Sequence, residues 1–255
     1  MNAIILCGGL STRLGDITKT IPKVLLDIGA SPHISIAHSG KKKKFSFHSF
    51  DSEIKGKTVL EWQLEKLKSV GITEVVLAAG HLAEVLYQNI GLHKDGVDLI
   101  YAIEQERLGT GGAIKHAWEY VSKPTEPTII LNGDVLTTVD LADMIKYLLP
   151  DSDGIILGAK VEDAATYGVL EYDKKFHLKK FKEKEGLHQP GYINGGIYLF
   201  NAKAKKYFPA EKSFSIEYDV FPKMTDLYVY QSDKPWVDIG LPERLEWARE
   251  NWSEF

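Results

Sequence analysis

The chain opens on an uncharged apolar run, Ala3-Ile4-Ile5-Leu6-Cys7, that stops at Gly8-Gly9. A run this short and this uniformly apolar suits a strand buried on both faces of a parallel sheet. Similar runs recur through the first 161 residues: Glu74 to Ala79, Leu99 to Ile103, Thr128 to Leu131 and Gly154 to Val161. Between them the apolar spacing changes to a helical one. Leu60, Leu64 and Leu67 share one stripe of a helix over 59–70, which Gly71 closes. Residues 83–90, 111–121 and 141–148 read as further helices. This alternation predicts a three-layer α/β/α arrangement around a mostly parallel sheet, with ligands at the carboxyl ends of the strands.

Past about residue 162 the pattern shifts toward β. Val169 to Tyr172 and Leu178 to Lys182 read as a hairpin, and Ile193 to Phe200 as a longer strand. Ser215 to Pro222 and Leu241 to Asn251 read as helices flanking a short strand from Leu227 to Gln231. There is no internal repeat, and 255 residues suffice for one large α/β domain over 1–255. Residues 31–55 stand apart. Ile34 and Ile36 on one arm, Phe45 and Phe47 on the other, and Ser39-Gly40 between them predict an inserted hairpin. The run Lys41 to Lys44 suits an edge guarded against further pairing, with a flap or an oligomer contact as the alternative.

The chemistry starts where the first strand ends. Gly8 and Gly9 carry no side chain and allow positive φ, so backbone N–H groups there can approach an anion closely. Arg13 adds a planar fork matched to phosphate, and Lys23 a compact point charge. Together these predict a polyphosphate site. The turn fits neither G-x-x-x-x-G-K-[ST] nor the G-x-G-x-x-G order of dinucleotide folds. A formal net charge of -4 argues against nucleic-acid or membrane-surface partners. Cys7 is the only cysteine, which excludes an internal disulfide and a thiol metal cluster. The eight histidines show no metal-ligand spacing. The apolar start is too short for a signal sequence or a membrane span, so a cytoplasmic protein is expected.

Gly8-Gly9-Leu10-Ser11-Thr12-Arg13-Leu14 with Pro22-Lys23 resembles the G-G-x-G-T-R-L…P-K signature of the sugar-1-phosphate nucleotidyltransferases. Ser11 stands at the third signature glycine, and Val24 where that family often has proline. Leu108-Gly109-Thr110-Gly111-Gly112, Tyr167-Gly168-Val169, Phe181-Lys182-Glu183-Lys184, Asn194-Gly195-Gly196-Ile197-Tyr198 and Asp238-Ile239-Gly240 resemble further motifs of the family. Glu185 replaces the proline that usually follows the Glu-Lys pair.

The resemblance implies a Rossmann-like, GT-A-like fold and transfer of a nucleotidyl group from an NTP to a sugar 1-phosphate, releasing pyrophosphate. It implies nucleotide contacts from Leu6, Cys7, Gly8, Gly9, Ser11, Thr12, Arg13, Lys23, Glu104, Gly109, Thr110 and Asp134, with Arg13 and Lys23 catalytic. It implies sugar-phosphate contacts from Tyr167, Gly168, Glu183, Lys184, Asn194 and Gly195. Asp134 and Asp238 match its paired metal aspartates, and such carboxylates suit Mg²⁺. Residues 1–161 would then serve mainly the nucleotide and 162–255 mainly the sugar phosphate. A homodimer stays open.

Glu104 lies five residues before Gly109, where uridylyl relatives have glutamine. A carboxylate accepts two hydrogen bonds and donates none, which suits the N1–H and N2–H₂ edge of guanine and predicts GTP. The segment from Ser213 to Phe221 resembles the heptose 1-phosphate guanylyltransferase branch, with mannose 1-phosphate as the next acceptor. Uridylyl or thymidylyl transfer, and a non-catalytic nucleotide-sugar-binding subunit, are the alternatives.

Overall fold

The computed structural model describes residues 1–9, 12–28, 56–182 and 188–252. The predicted hairpin at 31–55, and with it Ser11, Glu183 and Lys184, lies outside the described residues.

In chain order the strands begin with β1 (Asn2–Leu6), β2 (Asp27–Ile28), β3 (Lys57–Thr58), β4 (Glu74–Ala79) and β5 (His93–Lys94). They continue with β6 (Val97–Ile103), β7 (Thr128–Asn132), β8 (Val135–Thr137), β9 (Gly154–Val161) and β10 (Val169–Tyr172). The last four are β11 (Leu178–Lys182), β12 (Gly191–Phe200), β13 (Leu227–Ser232) and β14 (Trp236–Asp238). The α-helices are α1 (Val59–Ser69), α2 (Ala83–Ile90), α3 (Gly109–Ala117), α4 (Leu141–Lys146) and α5 (Pro242–Asn251).

The central sheet runs β13-β9-β12-β7-β1-β4-β6-β5, with the hairpin β10–β11 attached to the start of β12. Strands β7, β1, β4 and β6 are mutually parallel, Ile4 pairing with Ile130 on one side and Val76 on the other. β12 runs antiparallel to β7 and β9, and to β10 where the hairpin joins it.

The uncharged strands are buried on both faces, as their composition requires. Ala3 and Ile5 of β1 pack with Leu60, Leu64 and Leu67 of α1, Leu86 of α2 and Met144 of α4. Ile4 faces the other layer, with Ile114 and Trp118 at α3 and Val220 and Phe221 beyond it. Helix α1 starts at a capping box. Thr58 accepts from the Glu61 N–H at 3.2 Å, and Glu61 accepts from the Thr58 N–H at 2.7 Å.

A third cluster gathers Leu14, Ile28, Leu136, Val237, Ile239, Leu245 and Trp252. It ties the segment after the glycine turn to β8, β14 and α5, and so supports one end of the carboxyl edge. Residues 215–222 do not form the predicted α-helix. Ser215 caps a single wide turn over Ile216–Val220, and a 3₁₀ turn over Phe221–Lys223 follows, with Pro222 inside it. No helix among the described residues is long and apolar enough to cross a membrane.

Candidate active site

Four parallel strands end on one edge, and three of them hand over to a residue singled out by its chemistry, Gly8, Glu104 or Asp134. β1 leads to Gly8, β4 to Gly80, β6 to Glu104 and β7 to Gly133-Asp134. A cleft of about 580 Å³ opens there, lined by Gly8, Gly9, Arg13, Lys23, His81 and Glu104 among others. Gly9 has φ +114°, the positive value expected of the turn. A methyl carbon on Gly8 would stand 3.3 Å from Glu104 Oε1, so Gly8 forms the floor beneath that carboxylate. The other oxygen of Glu104 accepts a 3.4 Å hydrogen bond from the Leu108 N–H. Burial pushes the Glu104 carboxyl above the usual range, against the opposing pull of that N–H and of His116.

Lys23 opens a short 3₁₀ turn whose Val24 and Leu25 are buried in the core, and this aims its ammonium back at the edge. Lys23 Nζ donates to Asp134 Oδ2 at 2.9 Å. Asp134 owes its place to Gly133, whose N–H donates to Leu6 O at 3.0 Å. A methyl group on Gly133 would lie 2.3 Å from that same oxygen and 2.6 Å from Val24 Cγ1. Both obstacles are fixed, one by the sheet and one by the core. Gly133→Ala is therefore expected to destabilise the fold by about 2–3 kcal/mol, the scale of forced overpacking. For a chain of this size that corresponds to a melting point lower by roughly 5–10 °C, readable by calorimetry. An unchanged melting point would show that the turn can move.

Asp238 reaches the same place from the far end of the sequence. β14 pairs antiparallel with β8, Asp238 opposite Val135, and the Ile239 N–H donates to Asp134 O at 2.9 Å. A methyl carbon on Gly240 would lie 2.8 Å from Asp238 Oδ1, 3.7 Å from an Arg13 guanidinium nitrogen and 3.9 Å from Lys23 Nζ. Thus Arg13, Lys23, Asp134 and Asp238 converge. Among the described residues no group of three or more His, Cys, Asp or Glu side chains is placed to hold a metal ion by itself. One or two hard carboxylate oxygens, with phosphate and water completing the shell, is the donor set that fits Mg²⁺.

Tyr167 stands edge-on to Trp236 at 5.6 Å, and Trp236 Nε1 donates to Gly195 O at 2.9 Å. Gly168 follows Tyr167 into β10. Asn194 sits where the β12–β9 register slips, its amide donating to the Tyr198 hydroxyl at 3.0 Å. The predicted sugar-side residues Tyr167, Gly168, Asn194 and Gly195 are thus held beside the aspartate edge.

Three expected nucleotide residues are engaged within the protein itself. The Cys7 thiol is buried in the core, burial pushing its pKa up, and its N–H is taken by Ala78 O at 2.8 Å. The glycines after Leu108 meet the 212–216 segment closely: a methyl on Gly109 would strike Phe214 O at 2.6 Å, and one on Gly112 Lys212 O at 2.2 Å. Thr110 Oγ1 accepts from the Ile216 N–H at 3.0 Å and donates to Glu217 at 2.8 Å. Sequence reasoning missed Arg244, which bonds Asp238 and lies over the Tyr167 ring.

The Nucleotidyl transferase family model matches residues 36–253. The chain is 32% identical over 247 residues to the mannose-1-phosphate guanylyltransferase catalytic subunit beta of Drosophila melanogaster, covering 94% of this chain and 60% of that one. It thus spans about three fifths of that relative's length. It is 32% identical over 260 residues to the D-glycero-alpha-D-manno-heptose 1-phosphate guanylyltransferase of Aneurinibacillus thermoaerophilus, with 100% of both chains covered. The crystal structure of HddC from Yersinia pseudotuberculosis superimposes with a TM-score of 0.77 at 31% identity, over 98% of this chain and 99% of that one. HddC has also been crystallised in complex with GMP-PN.

Proposed function

The chain belongs to the nucleotidyl transferase family, and from that premise we propose that it joins GTP and a sugar 1-phosphate to give a GDP-sugar and pyrophosphate. Heptose 1-phosphate is the favoured acceptor and mannose 1-phosphate the second, in keeping with the relatives of each kind. The observation that carries the reading is the convergence of Arg13, Lys23 and Asp238 around Gly240, with Asp134 on Lys23 and Glu104 across the cleft.

Arg13 is exposed and can swing onto the departing β- and γ-phosphates. Lys23, paired with Asp134, is placed to move onto the α-phosphoryl oxygens as charge builds there. Glu104 would accept from the guanine N1–H and N2–H₂. Tyr167, Gly168, Asn194 and Gly195, with Glu183 and Lys184, would hold the acceptor for in-line attack by its phosphate oxygen on the α-phosphorus. That oxygen is already anionic near neutral pH, so no general base is required. Asp134 and Asp238 would hold Mg²⁺, which when bound neutralises phosphate charge that Arg13 and Lys23 alone cannot.

Pyrophosphate release from GTP, UTP, dTTP and ATP, each against heptose, mannose and glucose 1-phosphates, tests this directly. The expected result is turnover with GTP and heptose or mannose 1-phosphate, abolished by chelator. Preference for UTP or dTTP would overturn the base assignment, and no turnover with any pair would favour a binding subunit.

A further inference from the structure

Arg244 lies in the first turn of α5, just inside Pro242, and only about a fifth of its side chain is exposed. Its guanidinium makes three contacts with different parts of the chain. Nη1 donates to Asp238 Oδ2. Nη2 donates to Thr166 Oγ1 at 3.1 Å, and the guanidinium carbon lies 4.6 Å above the centre of the Tyr167 ring. Tyr167 also lies within electrostatic reach of Asp238. The remaining oxygen of Asp238 accepts from the Gly240 N–H at 3.1 Å, on the side where Arg13 and Lys23 stand.

A planar fork holds two acceptors in fixed directions while lying flat on a ring; an ammonium group has donors enough but no plane and no fixed directions. Asp238 therefore cannot rotate without breaking the bond to Arg244. Nor can the Thr166–Tyr167 turn lift from the edge without uncovering the guanidinium.

We infer that Arg244 is a positioning residue for the acceptor: it locks the Thr166–Tyr167 turn onto Asp238, so that the sugar-side loop and the aspartate edge move as one unit. This rests on the roles proposed above for Tyr167 and Asp238. The nucleotide side is left alone, because the guanidinium spends its bonds on Asp238 and Thr166 rather than on Gly8, Arg13, Lys23 or Glu104.

Steady-state kinetics and proteolysis test the inference together. Arg244→Ala is expected to lower kcat by roughly 10-fold or more and raise KM for the sugar 1-phosphate roughly 10-fold, the usual scale for a group that orients a ligand residue. KM for GTP should stay within about 3-fold. Arg244→Lys keeps a cation for Asp238 but loses the fork, so it should restore most of kcat and leave the sugar KM raised. Thr166→Val, which removes one leg of the fork and leaves Asp238 untouched, should raise the sugar KM alone, and it stands in if Arg244→Ala does not fold.

Without substrates, chymotrypsin should cut after Tyr167 roughly tenfold faster in Arg244→Ala than in the wild type, as read by mass spectrometry. Equal cutting rates, or a loss of kcat with the sugar KM unchanged in all three variants, would overturn the inference. A wild-type protein with no turnover would sink the proposed reaction instead, and the cutting rates would still decide the role of Arg244.

Discussion

Asp134→Asn and Asp238→Asn are each expected to lower kcat by roughly 10²-fold or more while the melting point stays near that of the wild type. The chemistry crowds the charges of a triphosphate and a sugar phosphate into one cleft, and two protein cations do not offset them. Each substitution removes one anionic oxygen donor without changing the side chain's size, so the aspartate edge keeps its shape and loses its grip on a divalent ion. Neither carboxylate is deeply buried: their side chains remain 29% and 17% exposed, so the loss of charge leaves little to repack.

The nucleotide KM separates this role from general damage. Asp134→Asn frees Lys23 from its 2.9 Å partner, and a freed lysine should hold the triphosphate as well as before or better. Lower kcat with GTP affinity maintained is thus the expected pattern, measured by steady-state kinetics in saturating Mg²⁺. Near-wild-type kcat in both variants, or full turnover in chelator, would remove the metal from the mechanism.

Most of this edge was legible in the sequence because its parts are local. The uncharged run before Gly8 and the apolar runs before Gly80 and Asp134 can only be strands buried on both faces, and a parallel sheet brings their ends together. The strands at 74–79 and 154–161 and the hairpin over 169–182 fall where the pattern puts them. What was not legible depends on partners distant in the chain. β8 and β14 have three residues each, too few for a period, and become strands only by pairing with one another. The glycines at 109–112 look like a ligand loop, yet much of their need for a missing side chain comes from the backbone of 212–216. Arg244 reads as an ordinary surface charge until Asp238, Thr166 and Tyr167 are seen around it. The helix expected at 215–222 starts correctly, with the Ser215 hydroxyl accepting from the Glu217 and Tyr218 N–H groups, and is cut short because Pro222 has no N–H to continue the ladder.

Glu104 gives the sharpest test of nucleotide choice. Its carboxylate lies half-buried over Gly8, with one oxygen facing the cleft and the other taking only a long bond from Leu108. A carboxylate in that position can accept from both N1–H and N2–H₂ of guanine. Glu104→Gln keeps one acceptor and turns an N–H donor toward a donor, which should cost GTP use roughly 1.5–3 kcal/mol in kcat/KM, the scale of a charged hydrogen bond left badly paired. The mixed edge of uracil suits an amide better, so the gap between GTP and UTP should narrow. Acidity supplies an independent readout. Burial raises the Glu104 pKa above the ordinary 4.5, so its charge is lost as pH falls through that raised value. Protonation places a hydrogen where guanine needs an acceptor. Wild-type kcat/KM for GTP should therefore decline on the acid side at a pH above the ordinary glutamate range. Glu104→Gln should lack that limb while keeping any limb due to the phosphates themselves. A variant unchanged toward GTP, or one that keeps the whole acid limb, would mean that the base is read elsewhere in the cleft and that the guanylyl assignment falls.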